Sequence, residues 1–119
     1  MVIHIYDKKG FQPLITLDRS RLVGADLSGQ QLNEANLVEH DLSEANLQNT
    51  SLVHADFRIA KLINTDFRGA DLTGADFSNA ILDGAKLQGA KLTSAKFFHV
   101  DLAKLDLIDV DLSQVQVLV

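Results

Sequence analysis

Leucine or phenylalanine occupies every fifth position of this chain from residue 17 to residue 112, and Val117 continues the series. A period of five matches neither the 3.6-residue repeat of an α-helix nor the two-residue alternation of a flat strand. Periods this strict are typical of stacked-repeat folds, in which each repeat buries its apolar residue only because its neighbours cover it. The pattern therefore predicts a solenoid.

Each five-residue unit places a small residue two positions before its apolar centre. This small slot holds alanine in most units, and Ser20, Thr50 or Thr65 in others. The position directly before the centre is mostly aspartate or asparagine, as at Asp26 and Asn46. Six of the seven glycines share one phase, two residues after the centre. Because a chain that turns a corner uses a permissive residue there, we expect a corner in every unit.

The motif Ala-(Asp/Asn)-Leu-x-x, as in Ala35-Asn36-Leu37 and Ala70-Asp71-Leu72, resembles the repeat of the pentapeptide-repeat family. The resemblance runs from near residue 15 to residue 119. It implies an all-β fold, a right-handed quadrilateral β-helix (solenoid) in which four pentapeptides form one square coil. Centres and small residues point inward and the other three positions point outward. The chain would then make about five coils, stacked at the sheet spacing of about 4.8 Å.

Spacing within the chain agrees with four units in each coil. Phe57, Phe77 and Phe97 are twenty residues apart, which predicts one stacked interior column, with Phe67 on the opposite wall. Residues 2–16 predict a short hairpin that turns at 7–10 and caps the first coil. We therefore expect two parts, a capping hairpin over 1–16 and a β-helix over 17–119.

Larger residues replace the small one in the small slot mainly near the two ends of the repeat. They predict a wider terminal cross-section, or an apolar end that needs a cover. The residues are Gln30 and His40 in the first coils, and Val100, Leu105, Val110 and Val115 in the last.

Composition and charge argue against several kinds of site. There is no cysteine, which excludes disulfides, thiolate metal sites and cysteine nucleophiles, and the net charge of −5 argues against nucleic acid as a direct ligand. The four histidines lack metal-ligand spacing, and a convex rod has no cleft to tune carboxylates. No apolar run approaches a membrane span or a signal peptide. We expect a cytoplasmic protein with no catalytic residue, cofactor, metal or membrane partner.

Three lysines form a basic band on successive walls, at Lys86, Lys91 and Lys96. An anion contact is one interpretation of the band. Stacking by twenty, however, places Lys86 between Asp66 and Asp106 on neighbouring rungs, where opposite charges stabilise the pairing. We therefore interpret the band as charge pairing that fixes the register of the coils.

Outward positions should be polar, and two groups of apolar residues break this rule. Ile59, Ile63 and Ile81 fall on or beside one wall and are candidates for binding a protein partner, although single exposed apolar residues are normal. An unpaired sheet edge favours self-association, which makes a homodimer through the C-terminal end an open alternative to a monomer. The candidates for that contact are Phe98, Ile108, Val117, Leu118 and Val119.

The sequence therefore favours a non-enzymatic rod that presents a rigid surface to an unknown protein partner. Some members of the family are DNA mimics that inhibit or protect a type II topoisomerase (gyrase), and this is the alternative function. Acidic clusters lie over residues 34–44 and 101–111, but the coils between them are nearly neutral, which interrupts a phosphate-like stripe. A third alternative is a spacer that once tethered another domain. The family is especially abundant in cyanobacteria.

Overall fold

The computed structural model describes residues 1–118, and its regular elements are almost entirely strands. Its principal extents are 39 × 25 × 23 Å. Along the described chain the elements are β1 (Ile3–Tyr6), β2 (Pro13–Leu17), β3 (Lys96–Phe98), a 3₁₀-helix (Leu102–Lys104) and β4 (Gln116–Leu118).

Parallel backbone pairing between residues twenty apart organises the chain between the two ends. Bridges of this offset run from Asp26↔Asn46 to Lys86↔Asp106, and β3 pairs with β4 at the same offset. In a typical rung the Leu52 N–H donates to the Asp71 carbonyl at 2.8 Å, and the Asp71 N–H donates back to the Thr50 carbonyl at 2.9 Å. Each turn of the chain therefore takes twenty residues, and the fold is a β-helix.

The interior is built from the centres and the small slots, as predicted. From Leu22 to Phe97 no centre is more than 5% exposed. Phe77 stacks on Phe57 with ring centroids 4.9 Å apart and on Phe97 at 5.0 Å, which confirms the predicted column. Phe67 meets the column edge-on, at 5.6 Å from Phe57 and 5.7 Å from Phe77.

Corners fall at the second residue after the centre, where the backbone φ is positive. The predicted glycines lie there, but so do non-glycine residues, including Glu34 (φ 64°), His54 (58°) and Ile59 (62°). At Gly74 a Cβ would collide with the imidazole of His54 one turn earlier, so a larger residue there would require the His54 ring to move.

Where aspartate or asparagine precedes a centre, it has a structural role that the repeat pattern alone did not reveal. Its side-chain oxygen accepts the backbone N–H of the residue after the centre, as in Asp76 with Ser78 at 2.9 Å. Asn46 accepts the Gln48 N–H in the same way at 3.0 Å. Short side chains that bind the backbone two residues ahead stabilise turns, which explains the preference for these two residue types.

An antiparallel hairpin stands at the N-terminal end. β1 pairs with β2, and the Gly10 N–H donates to the Asp7 carbonyl at 3.1 Å in the turn. The chain after β1 also reaches the first coil, where the Asn36 N–H donates to the Tyr6 carbonyl at 2.8 Å and the Lys8 N–H donates to that of Glu34 at 2.9 Å. Residues 6–8 therefore occupy the place that an earlier rung would take on that wall.

The last coil departs from the regular pattern. Val100 and Leu105 fill the small slots and are buried, whereas the centres Leu102 and Leu107 are only half-buried. The expectation that centres point fully inward is thus wrong here, because two large side chains compete for an interior that elsewhere holds one. The side-chain amide of Gln88 donates to two carbonyls of this coil, at 3.2 Å and 3.0 Å.

Candidate interaction surfaces

Three exposed or half-buried isoleucines surround one lysine on the outer surface. Lys61 pairs with Ile81 on the next rung, and Ile59 and Ile63 lie two residues before and after Lys61. Ile59 is 56% exposed and Ile81 is 47% exposed, whereas Ile63 is half-buried. The structure therefore brings the three predicted residues together, and we call them the isoleucine patch.

Ile59 stands out within this patch because of its backbone. A φ of 62° is left-handed, and a β-branched residue is a steric outlier there. The same corner position elsewhere holds glycine or residues that tolerate this conformation better, such as Asn49 and Asn64. Because the side chain is also exposed, the fold gains little from isoleucine at this corner.

Charges around the isoleucine patch differ in how they are held. Arg58 is fixed by Asp56, with an Nη2–Oδ2 distance of 2.8 Å. Lys61 has no carboxylate within ion-pair distance among residues 1–118, although Asp41 is its register partner on the preceding rung. The patch is therefore an apolar surface with one exposed cation at its centre.

The C-terminal candidates form only a partial group. Phe98 pairs with Leu118 in the β3–β4 ladder, and Val117 and Leu118 are 45% and 53% exposed. Ile108 is 74% exposed but lies ten residues before Leu118, half a turn away, so the structure does not join it to the others. Val119 lies outside the described residues.

The basic band has the predicted register. Lys86 pairs with Asp66 and with Asp106 on the two neighbouring rungs, and Lys96 pairs with Asp76. These carboxylates bind the backbone of their own turns, and Asp66 also holds Arg68, with an Nη2–Oδ2 distance of 2.7 Å. The lysines are thus register neighbours of the aspartates rather than direct ion-pair partners.

Two recesses on the surface of residues 1–118 were not predicted from the sequence. The smaller, of about 190 Å³, lies between the last two rungs near Lys91 and Asp111. The larger, of about 380 Å³, lies beside the N-terminal hairpin. Its one sequence signal was His40 in a small slot. Its lining residues are Ile3, Arg21, Leu22, Val23, His40 and Asp41.

Two other kinds of feature are absent from the residues that the structure describes. Residues 1–118 contain no helix that is long and apolar enough to cross a membrane. The same residues contain no group of three or more histidines and carboxylates that could hold a metal ion.

Comparison with known proteins gives the family. The model of pentapeptide repeats matches the chain in eight copies, over residues 20–58, 41–79, 50–89, 60–97 and 80–114. The chain belongs to the pentapeptide-repeat family. No curated protein matches it.

Several solved structures are similar to the chain. A pentapeptide repeat protein from the Arabidopsis thaliana thylakoid lumen is 30% identical, over 69% of this chain and 68% of that one, with a TM-score of 0.39. One from the cyanobacterium Cyanothece 51142 is 26% identical, over 80% and 85%, with a TM-score of 0.42. QnrB1, a plasmid-mediated fluoroquinolone resistance protein, is 20% identical, over 85% and 86%, with a TM-score of 0.34.

Proposed function

We propose that this pentapeptide-repeat protein is a non-enzymatic rod that binds a protein partner through the isoleucine patch. The observation that carries the proposal is Ile59, an exposed β-branched residue at a corner with a φ of 62°. Backbone strain at an exposed apolar residue is unfavourable for an isolated rod and is typical of functional sites. The proposed location is the cytoplasm.

The architecture that we propose for the rod is a right-handed quadrilateral β-helix of about five coils, with residues 1–16 as a cap and 17–119 as the helix. The offset of twenty in every parallel bridge supports four pentapeptides per coil. Corners at a constant phase support a polygonal cross-section with one unit on each side.

The chemistry of the isoleucine patch matches the centre of a protein interface. Apolar side chains that desolvate on contact supply most of the binding energy, and a partly exposed cation fixes the orientation of the partner. Lys61 is free to meet a carboxylate of the partner, because its own register neighbour Asp41 binds the Ser43 N–H at 3.0 Å. The expected partner is therefore a protein with an apolar surface and an acidic side chain.

Capture of partners by matched variants tests this proposal. Ile59→Asn preserves the corner, since asparagine occupies the same phase at Asn49, and Ile63→Asp places a charge in the patch. Val53→Asp is the control, because Val53 is half-buried at the position equivalent to Ile63 on another wall. A partner that binds the wild type and the control but neither patch variant is expected. Equal capture by all four proteins would contradict the assignment of the patch.

A homodimer through the C-terminal end is a second element of the proposal. β4 is hydrogen-bonded to β3 on one side, and the exposed Val117 and Leu118 lie on this last described strand. Val117→Asp should convert the dimer to a monomer in sedimentation experiments, whereas Ile108→Asp, half a turn away, should not. A monomer mass for the wild type across micromolar concentrations would contradict the dimer.

DNA mimicry against gyrase is the alternative. Exposed carboxylates at Glu34 and Glu39 near one end, and at Asp101 and Asp106 near the other, support it. The lysine band and the arginine–aspartate pairs interrupt the acidic surface between these ends. Inhibition of gyrase supercoiling at micromolar protein would favour mimicry, and its absence would leave the protein-binding rod.

A further inference from the structure

The recess beside the N-terminal hairpin has the size and lining of a small-molecule site. Its volume of about 380 Å³ lies within the range of about 300–1,000 Å³ that is usual for ligand sites. Ile3, Leu22 and Val23 supply apolar surface, and Arg21 and His40 supply polar groups. An apolar cavity with a few converging polar groups is the ordinary composition of such sites.

His40 is the residue that breaks the repeat at this place. It occupies a small slot that holds alanine in most units, and its side chain is half-buried. Its Nδ1 lies 2.9 Å from the Val38 carbonyl, which can only accept, so Nδ1 is the donor and the neutral ring leaves Nε2 as an acceptor. Departures from a local rule without a structural gain are expected at functional sites.

Two buried polar side-chain atoms lie near the recess without lining it, Nε of Arg19 and Oγ of Ser43. Nη2 of Arg19 donates to the carbonyl of Val23, a lining residue, at 3.0 Å. The Ser43 carbonyl accepts the Gly24 N–H at 2.9 Å, which places Ser43 on the rung next to Val23. Hydrogen bonds from the backbone N–H and the hydroxyl of Ser43 lower the pKa of Asp41, so this hydroxyl serves its own turn. Nε of Arg19 has no such partner among the described residues, and its guanidinium adds a second cation beside the recess.

The balance of charge around the recess favours an anion. The lining contains one arginine, Arg21, and one carboxylate, Asp41. Arg19 is a second cation beside the lining, bound to the Val23 carbonyl. The Asp41 carboxylate accepts the Ser43 N–H at 3.0 Å, and Lys61 is its register partner on the other side. Asp41 therefore has a cation on each side, Lys61 and Arg21, without a direct ion pair to either. The guanidinium of Arg21 has no carboxylate within ion-pair distance among residues 1–118, so it can still pair with an anion.

We propose that this recess binds a small organic carboxylate that has an apolar body and carries a hydroxyl or amide N–H. The carboxylate pairs with Arg21, the donor group binds Nε2 of His40, and the apolar body covers Ile3 and Val23.

Backbone amide chemical shifts during titration of the full chain test the proposal. Mandelate carries the carboxylate, the hydroxyl and an aromatic body; phenylacetate lacks the hydroxyl, and 1-phenylethanol lacks the carboxylate. Mandelate should shift the amides of Leu22, Val23 and Asp41 and should bind about threefold to tenfold more tightly than phenylacetate, the difference that one hydrogen bond makes. 1-Phenylethanol should bind most weakly.

Variants assign the roles within the recess. His40→Ala introduces the usual residue of the small slot, so the fold is retained and mandelate should bind only as well as phenylacetate. Arg21→Gln should weaken both acids by about tenfold, the effect of a charge-assisted hydrogen bond. Asp41→Asn keeps the acceptor of the turn and should tighten binding, whereas a cationic ligand would require it to weaken. Arg68→Gln, on another wall, is the control and should leave binding unchanged.

Specific results would overturn the proposal. They are the absence of shifts at tens of millimolar mandelate, binding that neither His40→Ala nor Arg21→Gln weakens, and equal binding of 1-phenylethanol and mandelate. A peptide with a free C-terminal phenylalanine offers the same carboxylate and an amide N–H. If that peptide binds more tightly than mandelate, the natural ligand is the C-terminal end of a protein chain. If mandelate binds more tightly, the natural ligand is a free organic acid. In both cases the carboxylate pairs with Arg21 as proposed.

Discussion

Truncation of Phe77 is the most direct test of the interior. Its side chain is fully buried, stacks on Phe57 and Phe97 at 4.9 Å and 5.0 Å, and meets Phe67 edge-on at 5.7 Å. Phe77→Ala leaves a cavity, and such changes lower the free energy of unfolding by about 3–5 kcal/mol. The loss of two stacked contacts and one edge contact, each about 0.5–1.5 kcal/mol, places the expected effect near the upper end.

The structure also gives a reason why the cavity cannot close. The Phe77 N–H donates to the Lys96 carbonyl at 2.8 Å, and the rungs before and after are held by the same kind of bond. A wall fixed by backbone hydrogen bonds cannot move inward to fill the space, so relaxation is small. We therefore expect a loss of about 4–5 kcal/mol for Phe77→Ala.

Phe77→Leu is the matched variant, because Leu37 occupies the equivalent position of the same column. It keeps most of the apolar volume and loses the stacking, so the expected loss is about 1–2 kcal/mol. Urea denaturation followed by circular dichroism measures both variants. A loss below about 1 kcal/mol for Phe77→Ala, or equal losses for the two variants, would refute the stacked column as a source of stability.

Three further predictions concern the repeat. Hydrogen bonds from the Arg68 guanidinium lower the pKa of Asp66 below its usual 3.8. The ionised Asp66 therefore stabilises the folded state fully above pH 3.8, and this contribution is lost as the pH falls through the lowered pKa. The urea midpoint should thus fall in acid, and fall less in Asp66→Asn. Ala75→Val should destabilise the rod by about 1–3 kcal/mol through overpacking, and a thermal melt equal to that of the wild type would contradict this. Amide hydrogen exchange should be faster at Leu92, which lies beside the loosened last coil, than at Leu52, whose N–H donates to the next rung at 2.8 Å. Equal protection of the two amides would contradict the loosening of the last coil.

The period of five was sufficient to predict the interior because one physical constraint acts on every unit. Each centre must face inward and each corner must turn, so a single rule covers most of the chain, and Phe57, Phe77 and Phe97 lie where the spacing placed them. The family model and the parallel bridges agree with this interpretation.

Features that depend on exact geometry were not predicted. The aspartates were interpreted as charge partners of lysines on neighbouring rungs. In the structure a side chain such as that of Asp76 first accepts the backbone N–H of its own turn, two residues ahead. Pairing charges by the offset of twenty does not include this local hydrogen bond. The last coil loosens because Val100 and Leu105 enter the interior, and the sequence showed the larger residues without showing which side chains they displace. The N-terminal recess depends on where the hairpin packs, which no repeat rule specifies.

Ile59 and His40 break the repeat without stabilising the rod, so their replacement should not destabilise it. Ile59→Asn relieves part of a left-handed strain of about 1–2 kcal/mol, and it loses about 1 kcal/mol of partial burial. His40→Ala removes a half-buried polar ring from a slot where alanine fits. Both variants should therefore be as stable as the wild type in urea, or more stable, while each loses the binding assigned to its surface, which is the usual trade-off at functional positions. If both variants unfold at clearly lower urea concentrations, these residues have structural roles and both surface assignments fail.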